Sequence, residues 1–301
     1  MNIKKYLKKP SYILEYLSAK GLLNWMNDKV YIKLIYKIEF GKKLNLKNPQ
    51  TFNEKMNYLK IYDRNLKYSS LADKKLVKEY VSNLIGDEYV IETYNSWTNT
   101  DVMNIDDLPD EFVLKCNHDS NGVIICRDKN NFDLDEAKRR LEKSLKKNYY
   151  YQLREWPYKN IKPQIIAEKF IEDTDSDDLR DYKFLCFNGE PKYVYVTVKN
   201  DNIYENYYDL NFNVVDINHG FPRHVPEFKK PKNFNKMIEI VKRLSYGIPF
   251  IRIDLHNVNG KIYFGEFTFY DWGAMRPYIN EDIDLKLGNM LDIKKTTNNK
   301  I

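Results

Sequence analysis

The sequence predicts an α+β fold, helical in its first third and built of hairpins thereafter. Three observations carry this. Apolar residues recur at helical spacing up to about residue 85, short β-branched and aromatic runs separated by turn signals follow, and a regular βαβ alternation is missing. In chain order, Thr51-Phe52-Asn53-Glu54 reads as a capping box, with Pro49 closing off anything before it. Ser70-Leu71-Ala72-Asp73 reads as a second helix start, followed by the stripe Val77, Tyr80, Val81, Leu84 and a stop at Gly86. A third helix runs from Asp133 to about Lys147, capped by Asp133 and Glu136, with Leu134, Ala137, Leu141 and Leu145 as its apolar face. Phe112–Cys116 and Val123–Cys126 bracket a polar turn, and Gln164–Ile171 is a further strand candidate. Tyr182–Phe187 and Lys192–Val198 are joined through Asn188-Gly189. Pro249–Leu255 and Lys261–Thr268 form a last hairpin with Gly260 at its tip, and the tail after Leu291 reads as frayed.

The chain has 301 residues, 43% hydrophobic and 31% charged, which excludes wholesale disorder. No stretch approaches the roughly 18 apolar residues of a membrane span. A net charge of +6 over this length leans toward anionic partners but does not argue for nucleic acid. Cys116, Cys126 and Cys186 fit no metal-pair spacing, and the first two sit in apolar runs as small hydrophobes do. The basic start MNIKKYLKK precedes an apolar part cut by Glu15, without a small-residue cleavage site. The expectation is therefore a cytoplasmic protein, with peripheral contact between the basic N-terminal helix and an anionic membrane as an option.

The last hairpin is the sharpest chemical feature. With a three-residue loop Val258–Gly260 and Gly260 left-handed, Asp254 faces Phe264 and Arg252 faces Glu266. Arg252, Asp254, Glu266 and Thr268 then share one face. Hard oxygen donors of this kind suit Mg²⁺ shared with phosphates. The alternative is a solvated face with an Arg252–Glu266 cross-strand pair, and a two-residue loop would put the acids on opposite faces. Lys115 leaves an apolar strand into the loop Asn117–Gly122, which can offer backbone N–H groups to phosphate or can be an ordinary turn. His118 in that loop reads first as a solvated side chain. His219 and His224 are a weak zinc signal, and the acidic stretch 173–178 lacks the glycine and terminal Glu of an EF-hand.

Together the segments LNLKNPQTFNEK, LADKKLVKEYV, LPDEFVLKCNHDSNG, IIAEKFI, DYKFLCFNGEP and FIRIDLHNVNGKIYFGEFTFYDWGA resemble the ATP-grasp superfamily. Within it they are most similar to the TupA-like family linked to teichuronopeptide and capsular polysaccharide synthesis. The resemblance implies an ATP-grasp fold with a helical N-terminal region (1–85), a lid-containing subdomain (86–163), a hinge strand with a larger antiparallel metal- and nucleotide-binding sheet (164–291) and a tail (292–301). It implies that Lys74 and Lys115 grip the ATP phosphates and that Asp119, Ser120, Asn121 and Gly122 form the lid loop. Glu168, Lys169, Phe170 and Ile171 would be the hinge that reads adenine, and Asp181 and Lys183 would lie near ribose and phosphates. Asp254, Glu266 and Thr268 would hold Mg²⁺, with Lys183 and Arg252 catalytic. Thr268 replaces the Asn common at its position, and the lid loop is poor in glycine and carries the acid Asp119.

The function so implied is an ATP- and Mg²⁺-dependent carboxylate–amine ligase working through an acylphosphate. Its substrates would be a uronic-acid-type saccharide and an amino acid, with no nucleic acid partner and peripheral contact with membrane or polysaccharide-synthesis machinery as an option. Tyr270, Trp272 and Tyr278 would stack on a sugar or fill the core. The alternatives are a kinase on the same fold, a metal-dependent glycosyltransferase using Asp175 and Asp177, and a non-catalytic carbohydrate-binding protein.

Overall fold

The computed structural model describes residues 10–120, 122–173, 180–199 and 203–293. Asn121, Asp175 and Asp177 lie outside the described residues. The described N-terminal part is helical: α1 (Pro10–Ala19), α2 (Asp28–Phe40), α3 (Phe52–Tyr62), α4 (Lys67–Ala72) and α5 (Leu76–Ile85). The capping box forms as read: the Thr51 hydroxyl accepts from the Glu54 N–H, and the Glu54 carboxylate accepts from the Thr51 N–H. Ser70 does not open a helix, because Lys67–Ala72 are already helical. Asp73 instead separates α4 from α5. Its carboxylate accepts from the N–H groups of Lys75 (2.8 Å) and Leu76 (3.2 Å), which are orphan donors of the next helix.

Two antiparallel sheets follow. The first has the order β1 (Thr93–Trp97), β4 (Ile165–Lys169), β2 (Phe112–Cys116), β3 (Ile124–Cys126). The strand over residues 165–169 is thus hydrogen-bonded between β1 and β2. One face of this sheet presents Phe112, Leu114, Ile165 and Ala167 to Ala137 and Leu141 of α6 (Leu134–Leu145). By the strand's two-residue period, Val113, Lys115, Ile166 and Glu168 point the other way. A short helix, α7 (Tyr150–Leu153), leads back toward β4.

The second sheet has the order β7 (Ile203–Tyr208), β6 (Glu190–Lys199), β5 (Asp181–Phe187), β8 (Phe250–Val258), β9 (Lys261–Thr268). Tyr182, Phe184, Val194, Val196, Ile251, Ile253 and Phe267 form its core face. Phe234, Met237, Ile240, Val241 and Leu244 of α8 (Phe234–Ser245) join them in one buried cluster. The opposite face is polar and carries Asp181, Lys183, Arg252, Asp254 and Glu266. The closing helix α9 (Glu281–Met290) docks on α3, where Asp284 accepts from the Asn53 N–H and side-chain amide at 2.9 and 3.1 Å. Among the described residues no helix is long and apolar enough to cross a membrane.

The last hairpin departs from the expected register. Its turn is the two-residue Asn259-Gly260, both with positive φ (50° and 78°), and Val258 pairs with Lys261. Strict alternation from there would bury Glu266 in the core, opposite Ile253. A bulge at Gly265 restores the face: Leu255 pairs with Phe264, but Asp254 pairs with Glu266 and Arg252 with Thr268. The position tolerates little beyond glycine, since a Cβ there would lie 3.0 Å from His256 Nε2 and 3.1 Å from the Asp254 carbonyl. Asp254 thus faces Glu266 rather than Phe264, and Arg252 faces Thr268 rather than Glu266.

Candidate active site

A small cleft, with room for about one water, lies between the unpacked face of the first sheet and the β9 edge of the second. Lys115 and Glu168 line it from the first sheet, Phe264 and Gly265 from the second, and Lys74, Val77, Lys78, Val90 and Ile91 from α5 and its flanks. Glu168 is 3% exposed and bridges two ammonium groups, Lys115 at 2.5 Å and Lys78 at 2.7 Å. Burial pushes its carboxyl up, but Lys115 and Lys78 outweigh that and hold it below its ordinary range. Lys78 was not singled out by the sequence, although it stands four residues after Lys74. The apolar stripe of α5 drew the reading instead.

The loop after β2 folds back on α6. His118 is buried rather than solvated, with Nε2 3.2 and 3.0 Å from the carbonyl oxygens of Ser144 and Lys147 at the helix's C-terminal end. The Asp119 carboxylate accepts from the Ser144 hydroxyl, so this acid is turned toward α6. Its backbone carbonyl accepts from Lys74 Nζ. Gly122 packs so closely on the Asp119 carboxylate that a Cβ would come within 2.4 Å of it. Ser120 bonds Tyr149. Beyond Glu168, the Lys169 side chain is exposed while its N–H donates to the Glu92 carbonyl at 2.9 Å. Phe170 lies 4.7 Å beneath the Arg127 guanidinium, and Ile171 is half-buried.

On the second sheet an ion-pair cluster spans strands of the polar face and the turn after β9. Arg252 donates to Asp254 through Nε (2.7 Å) and Nη2 (2.8 Å), to Glu266 (2.9 Å) and to Asp271 (2.8 Å). Lys183 donates to Asp254 (2.6 Å) and Asp181 (3.1 Å). Burial works against the Lys183 charge, but Asp181 and Asp254 hold its pKa above the usual lysine range. Burial pushes Glu266 up, yet Lys74, Arg252 and Lys183 bring it below its ordinary value. The Thr268 hydroxyl donates to Glu266 at 3.3 Å. The structure therefore brings Asp181, Lys183, Arg252, Asp254, Glu266 and Thr268 into one cluster.

Asp271 and Glu155 were missed. Asp271 lies in the motif FYDWGA, where no local pattern marked it. Glu155 is buried near Lys60, Arg252, Glu266 and Asp271, and burial pushes it and Lys60 toward their neutral forms.

The donor set fits a divalent cation. Four carboxylates, Asp181, Asp254, Glu266 and Asp271, are ion-paired to Lys183 and Arg252, and with Lys74 also acting on Glu266 the acids still outnumber these three cations. Among the described residues no three His, Cys, Asp or Glu side chains converge to cage a metal alone. Two carboxylates and a hydroxyl completed by phosphate oxygens is the way Mg²⁺ is usually held. His219 stacks on Tyr278 (4.1 Å) and His224 on Phe228 (4.7 Å), so both serve ring packing.

Comparison with solved structures finds D-alanine–D-alanine ligase from Bacillus anthracis complexed with ATP (14% identity, TM-score 0.38, 66% of this chain and 53% of that one). It also finds D-alanine–D-alanine ligase from Helicobacter pylori (14%, TM-score 0.40, 81% and 70%) and L-amino acid ligase from Bacillus licheniformis (12%, TM-score 0.42, 81% and 53%). The chain thus spans about half the length of the Bacillus anthracis enzyme. Comparison with curated proteins gives no match. The sequence model of the TupA-like ATPgrasp family matches residues 54–292, which takes in both sheets, the lysines of the cleft and the acidic cluster, and the chain belongs to that family.

Proposed function

We propose that the protein is an ATP- and Mg²⁺-dependent carboxylate–amine ligase acting through an acylphosphate. Its acid is a uronic-acid-type saccharide, its amine comes from an amino acid, and its setting is surface-polysaccharide synthesis on the cytoplasmic side. The observation that carries the reading is the Arg252–Lys183 cluster with its surplus of carboxylate, next to a cleft of three lysines. Asp254, Glu266 and Thr268 would hold Mg²⁺, which when bound neutralises charge on the transferring phosphates. Lys74 and Lys115 grip phosphate oxygens, and Glu168 faces the adenine edge. A substrate carboxylate oxygen attacks the γ-phosphorus and ADP departs with the bridging oxygen. Arg252 and Lys183 stabilise the charge that develops there. The amine nitrogen then attacks the acyl carbon, the C–O bond to phosphate breaks, and the nitrogen's proton leaves with phosphate.

ADP release tests this. A ligase releases ADP only when acid and amine are both supplied, whereas release with a single acceptor identifies a kinase. Stabilisation by a UDP-sugar instead of Mg-ATP, read as melting temperature, identifies a glycosyltransferase. No stabilisation by either leaves the non-catalytic reading.

Lys115→Ala is expected to weaken ATP binding by about 1.5–3 kcal/mol, roughly tenfold to a hundredfold, for one lost charge-assisted contact. The fold should survive, because Lys78 still pairs with Glu168. ATP titration of the folded variant decides it, and unchanged affinity removes Lys115 from the nucleotide site.

A further inference from the structure

The positive charge of the chain is confined to its start. Residues 1–47 hold eleven lysines and three acids, whereas the rest of the chain holds 38 basic and 40 acidic side chains. The stretch precedes residue 54, where the family match begins. Its acids are turned inward. Asp28 pairs with Arg64 (2.6 Å) and Arg154 (3.3 Å), Glu39 accepts from the Ser11 hydroxyl, and Glu15 is half-buried on α1. The lysines are therefore left to face the outside.

α2 shows how they are arranged. Tyr31, Ile32, Ile35 and Tyr36 face inward and form a small core with Leu44 and Met275. On the opposite side Val30, Lys33, Leu34 and Lys37 make an exposed stripe at the spacing i, i+3, i+4, i+7. Lys33, Leu34 and Lys37, with Lys43 and Leu44 beyond the helix, line an open hollow of about 300 Å³. Among the described residues no salt bridge reaches Lys33, Lys37 or Lys43. At the head of the stripe, before the Asn27 cap, the turn exposes Leu22 (61%) and Trp25 (79%). The Trp25 indole N–H donates to the Leu22 carbonyl at 3.0 Å. Its ring can thus leave water without orphaning its polar atom.

We propose that the turn between α1 and α2 and the exposed stripe of α2 dock the protein on an anionic phospholipid bilayer. Leu22, Trp25 and Val30 enter the boundary between headgroups and acyl chains, and Lys33, Lys37 and Lys43 surround lipid phosphates. Charge and apolarity together select this occupant. A soluble polyanion would use the lysines and leave the exposed indole and leucine in water. An apolar protein face would bury the lysines without partners. A bilayer surface meets both, because lysine stems lie along apolar surface while their ammonium groups stay with the phosphates. The segment MNIKKYLKK, directly before α1, adds four of the eleven lysines to the attraction. None of these residues belongs to the cleft or to the acidic cluster, so the proposal stands apart from the ligase reading.

Co-sedimentation of the full chain with phosphatidylcholine vesicles, with and without phosphatidylglycerol, tests this without nucleotide. Binding is expected only to the anionic vesicles. It should fall between about 0.1 M and 1 M salt, as the screening length shrinks from about 10 to 3 Å. Each lysine near such a surface contributes about fivefold in affinity, so joint replacement Lys33→Gln, Lys37→Gln and Lys43→Gln should weaken binding roughly a hundredfold. Trp25→Ala should weaken vesicle binding about tenfold and leave binding to heparin, a soluble polyanion, unchanged. Equal binding to neutral and anionic vesicles, binding to neither, or full vesicle binding by either variant overturns the proposal. Vesicle and heparin binding that both ignore Trp25→Ala assign the face to a soluble polyanion. A dimer in sedimentation velocity that Trp25→Ala abolishes, without vesicle binding, assigns it to a second copy of the chain and also overturns the proposal. If Trp25→Ala does not fold, the lipid and salt comparison with the lysine variant still decides.

Discussion

Asp254→Asn is expected to lower the melting temperature of the nucleotide-free protein and to abolish turnover. Asp254 is 2% exposed and accepts hydrogen bonds from Arg252 and Lys183. Asparagine keeps the shape but removes the charge, and two buried cations are left short of a partner. Removing one member of a buried pair costs about 3–5 kcal/mol. On the proposed function, turnover falls because Mg²⁺ would lose a hard ligand and Lys183 loses its orienting partner. Glu266→Gln makes a useful contrast. Glu266's side chain is 35% exposed, and Arg252 retains Asp254 and Asp271 when it is neutralised. Its apo stability should change less, while the stabilisation by Mg-ATP falls in both variants. Melting temperature with and without Mg-ATP, measured for all three proteins, checks this. Retention of the full Mg-ATP shift by both variants would sink the metal assignment.

That sign corrects what the hairpin sequence suggests. Two unpaired carboxylates on one face would repel, and neutralising either would leave apo stability unchanged or raise it. In the structure Arg252 reaches both acids from the neighbouring strand position, so the cross-strand pair and the prospective metal ligands are the same groups. Both readings use the same face of the hairpin, and in a sequence argument they part only on the sign of that stability change. They coexist here because the cluster holds more carboxylates than cations.

Local features were legible. The capping box at Thr51 and Glu54, the Asn188-Gly189 turn (φ 51° and 84°) and the Asp133 cap of α6 each rest on residues within a few positions of one another. The acidic face was found through an incorrect register, because one misassigned turn residue and one unseen bulge at Gly265 cancel in parity. A glycine in a strand is the signal for such a bulge, and Gly265 was available to be read. What was not legible joins distant segments. Lys78 meets Glu168 from 90 positions away, and Asp271 matters only because Arg252 turns toward it. β1, with the polar text TYNSW, carries no alternation strong enough to announce a strand. α8 was missed although Phe234, Met237, Ile240, Val241 and Leu244 keep helical spacing, because the surrounding hairpins set the expectation.

Glu168→Gln should be the most damaging change on the first sheet, and its pH dependence identifies the cause. In the wild type Glu168 separates Lys78 and Lys115, whose side chains are only 15% and 17% exposed. The Glu168→Gln variant leaves two ammonium groups facing one another across a neutral amide, and loss of the buried partner costs about 3–5 kcal/mol at neutral pH. The folded pKa of Glu168 lies below its ordinary 4.5, so its contribution is present above that value and is lost as pH falls through the lower, folded one. The gap between wild type and variant should therefore narrow in acid. Lys78 acts at the other end. Burial already holds it below the ordinary lysine value of 10.5, against the pull of Glu168. Without Glu168 it falls further, so the unfolded chain binds the extra proton over a wider range below 10.5. The variant then gains stability with rising alkaline pH more steeply than wild type. Denaturant titrations from acid to alkaline pH give both limbs at once. Parallel curves, with a constant gap at every pH, would mean that Glu168 stabilises by packing and that its two lysines are free to serve the nucleotide without it.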